Sequence, residues 1–294
     1  RRASGRQRLA RRRPATRLEK LKKQMTSHVE SAKPSETLRR LERLELPFVL
    51  IVLWLIFISV PLYPGHLGLS WDALNHHIYL GWVADTPRFD KDYAAASNQS
   101  YKLAIAGFSG QAAGVVLATL HLLTVPPVWI VAKVLIPAQG THAVAMRVAA
   151  VLLAFMSAVP LKMLESTGND LLAAAPFLWA VALAFQAMAQ AATANHTRIT
   201  RTAVKAGLLA GLAVSFKLSH GPLAVLLPLL FIFCDGPWGA RVKWIMLCAF
   251  AIAVGFVVTY GYWGYQLWLQ FGNPIYPFYD GYFHHWRNGT GLQP

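Results

Sequence analysis

The chain of 294 residues is 55% apolar and only 14% charged, against roughly a quarter charged in an average soluble domain, which excludes an ordinary soluble globule and points to lipid as the solvent. Residues 1–46 hold 15 Lys or Arg against five Glu, so the formal net charge of +15 is chiefly a property of that segment. A basic segment abutting an apolar span contacts anionic lipid and fixes orientation rather than binding nucleic acid.

The stretch before Met25, RRASGRQRLARRRPATRLEKLKKQ, has no apolar period and reads as low-complexity sequence upstream of the native start. Beyond the basic cytoplasmic segment 1–46, crossing about 30 Å of hydrocarbon takes about 20 helical residues. The apolar runs separate into about seven spans, near 47–64, 108–132, 144–163, 171–192, 203–218, 221–234 and 244–268. The expected fold is all-α, a polytopic transmembrane helical bundle over 47–294, left incomplete where the chain stops inside a polar segment. Pro126-Pro127 interrupts the second span, and Ser219-His220-Gly221-Pro222 splits two short ones. The two cysteines, Cys234 and Cys248, fall in or beside spans and suggest neither a disulfide framework nor a zinc site.

With the N-terminus cytoplasmic, Arg198, Arg201, Lys205, Arg241 and Lys243 fall on inner connections. Asp72, Asp85, Asp90, Asp92, Glu165, Asp170 and Asp280 fall on outer ones, leaving only Asp235 of the later acids inside. The outer face is therefore the expected working face, in loops 65–107 and 269–294.

The first outer loop is long, and loops beyond about 15 residues are usually functional or disordered. Its aromatics anchor it at the membrane interface, and Trp71 to Trp82 fits a short interfacial helix with Asp72, His76 and Tyr79 on one face. Asp72 is a candidate general base, or equally a helix cap. His76 and His77 are candidate ligands for a metal or a headgroup, although three residues without a fourth are a weak metal signal. Asp90-Lys91-Asp92 has a spacing that holds a divalent cation between phosphates, and this is the one cofactor candidate; such a triplet is common by chance. Glu165 and Asp170 flank the second outer turn as sugar ligands or caps. Lys217 and His220, at the outer end of a span, suit a phosphate at headgroup depth, with snorkelling as the plain alternative for Lys217. The last outer loop, Phe271 to Asp280, leads to His284-His285-Trp286-Arg287, where aromatic faces suit sugar rings and Arg287 suits a phosphate; an interfacial aromatic belt would look the same.

Three stretches, W-D-A-L-N-H-H-I-Y-L with R-F-D-K-D-Y-A, then S-T-G-N-D-L-L-A-A, then F-G-N-P-I-Y-P-F-Y, together resemble bacterial membrane glycosyltransferases of the GT-C fold class, over about residues 47–290. The resemblance implies an enzyme of the bacterial inner membrane that takes sugar, hexosyl-type, from a polyprenyl-phosphate donor to a glycan or lipid acceptor on the extracytoplasmic side. It implies Asp72 as catalytic base, Asp90, Asp92 and Asp170 lining the sugar and acceptor site, and Lys217 or Arg287 near the donor phosphate. Members of that class usually have eight or more spans, so this chain reads as a fragment. The alternatives are a transporter or flippase of lipid-linked or polar solutes, and a non-catalytic membrane assembly protein.

Overall fold

The structure is a computed structural model that describes residues 36–63, 110–164, 170–190 and 196–290. Among them every regular element is helical. The long helix α1 runs Glu36–Leu62. The second span is α2 (Gly110–His121), a 3₁₀ turn (Leu122–Thr124) and α3 (Val125–Leu135). Then follow α4 (Thr141–Phe155), α5 (Ala158–Leu164), α6 (Asp170–Gln190) and α7 (His196–Phe216). The chain continues through Leu218–Phe233, with α8 (Gly221–Leu226) at its centre, into α9 (Trp238–Phe271) and α10 (Asp280–Thr290).

Five helical segments, Glu36–Leu62, Gln111–Leu135, Asp170–Ala189, His196–Phe216 and Trp238–Phe271, are long and apolar enough to cross a membrane. A sixth is the pair α4 and α5, bent by 62°. The chain therefore folds as a multi-pass helical membrane bundle. The first span begins eleven residues ahead of its expected start, because the charged stretch Glu36 to Glu45 is itself helical, with Arg40 paired to Glu36 one turn away at 2.6 Å.

The expected split at residues 219–222 comes out differently on its two sides. The fifth span is a full 21-residue helix, whereas Leu218–Phe233 is too short for an α-helical crossing. It nonetheless carries the chain from one end of the bundle to the other. Helices α7 and α9 run side by side in the same direction: Trp244 donates to Thr200 at 3.1 Å, Gly207 meets Cys248, Gly211 meets Gly255, and Thr259 donates to Ser215 at 2.8 Å. Parallel neighbours need a connection that returns the full length. Seven of its residues, Leu227–Phe233, form 3₁₀ helix, whose rise of about 2.0 Å exceeds the α-helical 1.5 Å, so the whole stretch reaches roughly 29 Å.

Close packing of α7 on α9 depends on glycines. A Cβ on Gly255 would stand 2.6 Å from the Leu208 carbonyl oxygen, and one on Gly211 would stand 2.6 Å from the Phe256 nitrogen. Small residues let backbones approach where lipid gives helices no hydrophobic drive to associate. A cluster of Ile199, Ala203, Ala206, Ala210, Phe231 and Trp244 fills this half of the bundle. Val49, Leu53, Phe57, Val125, Val151 and Phe155 fill the other.

The interruption expected at Pro126-Pro127 is present, and its hydrogen bonds are rerouted. Pro127 has no N–H to give the Leu123 carbonyl, so that oxygen accepts the Trp179 indole of α6 at 3.1 Å. The Val125 N–H turns to Leu122, and the His121 carbonyl accepts the Thr124 hydroxyl at 2.7 Å.

Candidate functional site

The bundle has two ends, and most of the ionisable side chains among the described residues stand at one or the other. At the near end, where α1 starts, Glu45 and Arg147 are each 2% exposed. Arg147 donates to both Glu45 carboxylate oxygens at 2.8 and 2.9 Å, and to the carbonyls of Ile136 and Ala138 at 3.2 and 3.0 Å. The Trp129 indole donates to the same carboxylate at 2.9 Å. Every atom of this pair is occupied, so it fastens α1, α3, α4 and the 136–138 link. Sequence reading missed it; the signal was an arginine inside the apolar run THAVAMRVAAVLLAF, which demands a buried partner.

At the far end, three of the expected site residues meet. Asp170 opens α6 and forms an ion pair with Lys217, which follows α7. Lys217 adopts an extended backbone that stops the helix, and its carbonyl accepts the His220 N–H at 3.0 Å. The same oxygen lies 3.2 Å from His220 Nδ1. With Nδ1 donating there, Nε2 keeps its lone pair. The His220 ring packs beside Phe177 at 6.1 Å. Lys217 and Asp170 side chains remain 37% and 48% exposed, so this pair adds little stability and leaves an ammonium reachable from outside the bundle.

Next to it stands a corner built by the F-G-N-P-I-Y-P-F-Y segment. Gly272, at φ 61°, closes α9 in the left-handed region with its N–H on the Trp268 carbonyl at 2.8 Å. Asn273 is fully buried. Its Oδ1 accepts the Ile275 N–H at 3.0 Å, and its amide donates to the Phe278 carbonyl at 3.0 Å and to Asp280 at 3.3 Å. Phe271 and Tyr276 stack at 4.2 Å. Leu218, adjoining Lys217, packs on the same cluster of Tyr260, Trp263, Leu267 and Phe271 as Ile275 and Tyr276 do, which joins the two features.

Arg287 is 4% exposed and grips Asp280 with two bonds at 3.0 and 2.9 Å. It acts as a strut of the corner. That guanidinium, with the Asn273 amide, holds the Asp280 carboxyl below its ordinary value. His284 and His285 are exposed on α10, their rings 5.9 Å apart. Phe278, Tyr279 and Tyr282 also face outward from this corner.

Asp72, His76, His77, Asp90, Asp92 and Glu165 lie outside the described residues, as does the whole of the expected loop 65–107 with its interfacial helix. Among the described residues no group of three or more His, Cys, Asp or Glu side chains is placed to hold a metal ion. His121, halfway along the broken second span, is 1% exposed, and neither ring nitrogen has a hydrogen-bond partner among the described residues. Comparison with protein-family models, with curated proteins and with solved structures gives no match. The fold and its two polar ends define a multi-pass membrane protein with a partly open cation, carboxylate and imidazole group at one end.

Proposed function

We propose that this chain is an integral membrane glycosyltransferase of the GT-C class, moving a sugar from a polyprenyl-phosphate donor to a glycan or lipid acceptor at the far end of the bundle. The positive-inside rule supports placing that end outside the cytoplasm: exposed Arg39, Arg43, Arg198, Arg201 and Lys243 gather at the near end, while Asp170 and Asp280 stand at the far one. The observation that carries the reading is the meeting of Asp170, Lys217 and His220 beside the corner formed by the segment that bears the resemblance.

The chemistry suits those groups. Displacing a lipid phosphate from a sugar carbon requires a base for the acceptor hydroxyl and a cation for the departing phosphate, held in line. Lys217 is the phosphate-facing cation, because the Arg287 guanidinium is taken up by Asp280. Asp170 orients the ammonium until the phosphate displaces it, and Asp72 is the proposed base. Glycan profiling of a deletion strain complemented with wild-type or Lys217→Ala chain tests this. The variant should lose about 10²-fold in transfer at equal protein level, and an unaltered glycan profile on deletion would refute the assignment.

A transporter or flippase is the second reading, favoured by His121 and by Lys205 part-way along α7, since transporters set ionisable groups at mid-span. Solute flux that vanishes in His121→Ala while glycans stay unchanged would select it.

A further inference from the structure

We propose that the outward face of α7 seats the phosphate of an anionic phospholipid drawn from the leaflet at the near end, held by Arg198, Arg201 and Lys205. These three side chains follow the i, i+3, i+7 spacing of one helix face and all are exposed. The opposite face of the same helix, Ile199, Ala203, Ala206 and Ala210, is packed into the bundle. Of the exposed acids at this end, Glu36 pairs with Arg40, and Asp235 lies, like Arg241, beside Cys234. None of the three stripe cations has an ion pair among the described residues.

Depth selects the occupant. Helix α7 has 21 residues, about 31 Å, which matches the thickness of the hydrocarbon core, so a crossing that uses the whole helix sets His196 near the boundary. Lys205 then lies roughly 13 Å along the helix from that boundary, while a lysine side chain reaches only about 6 Å. A nucleic acid or a soluble acidic protein stops at the headgroups. A phospholipid phosphate pulled inward along the stripe meets Arg201 and Lys205 where charge interacts most strongly. The inference is independent of the transfer reaction proposed for the far end.

The test uses the full chain in nanodiscs of phosphatidylglycerol or of phosphatidylcholine, with retained lipid counted by native mass spectrometry. Wild type should keep phosphatidylglycerol in preference. Arg198→Gln/Arg201→Gln/Lys205→Gln should weaken retention about fivefold per charge removed, while Arg39→Gln/Arg43→Gln/Lys243→Gln, with the same charge change, should retain it. If the first triple variant does not fold, the single Lys205→Gln decides by the same count. Equal retention of the two lipids, equal loss in both triple variants, or displacement by millimolar glycerol phosphate would overturn the proposal.

Discussion

Glu45 and Arg147 lie 102 positions apart and share one buried carboxylate-guanidinium fork. Removing one partner of such a pair strands a charge, at a cost of about 3–5 kcal/mol, whereas replacing both with apolar groups is far milder. Arg147→Met is therefore expected to unfold much more readily in a detergent titration than Glu45→Leu/Arg147→Met. The double variant should still fall short of wild type, because the Ile136 and Ala138 carbonyls lose their donor. Equal stability of single and double variants would contradict the pairing. At the far end the sign of the pH response follows from Asp280, whose folded value is the lower one. The Asp280–Arg287 contribution is complete above the ordinary 3.8 and is lost as pH falls through the native value. The protection of residues 273–287 against hydrogen exchange, taken relative to the intrinsic amide rate at each pH, should be flat from pH 7 to 5 and fall only below 3.8. In Asp280→Asn that protection should be low at every pH.

At the scale of the element, α7 against α9 is the tightest pairing. Gly211→Val has no room, since backbone atoms of Ile252, Gly255 and Phe256 surround the position. A loss of about 1–3 kcal/mol or more is expected, read as a lower midpoint on thermal unfolding. Gly239→Ala meets nothing within 4 Å and should stay within about 0.5 kcal/mol of wild type. Element boundaries were only partly legible in sequence. Hydropathy located every apolar run, and Pro126-Pro127 did mark a break, because a missing N–H is written in the residue type. The start of α1 at Glu36 was not legible, since apolar periodicity ends where a helix leaves lipid even though the helix continues. Nor was the 3₁₀ form of Leu227–Phe233, which tertiary packing imposes on residues that would otherwise suit an α-helix.

Across the whole molecule, the alternation of directions makes a labelling prediction. In a background with Cys234 and Cys248 replaced by Ala, Tyr63→Cys and Gly281→Cys should react from one side of the membrane, and Gly239→Cys from the other; any other pattern would break the assigned order of crossings. The candidate site was legible to the extent that Asp170, Lys217 and His220 could each be named from their places at helix ends. Their meeting was not, because 47 residues separate Asp170 from Lys217 and only the antiparallel pairing of α6 with α7 brings them together. Arg287 shows the converse: its residue type suggested an anion ligand, and the fold spends it on Asp280. The stretched return at Leu218–Phe233 also bears on how proteins like this are counted. A hydropathy scan that admits only windows of helical length skips it, and one skipped passage inverts the compartment assigned to all that follows, sending Asn273 and its neighbours to the wrong side of the bilayer.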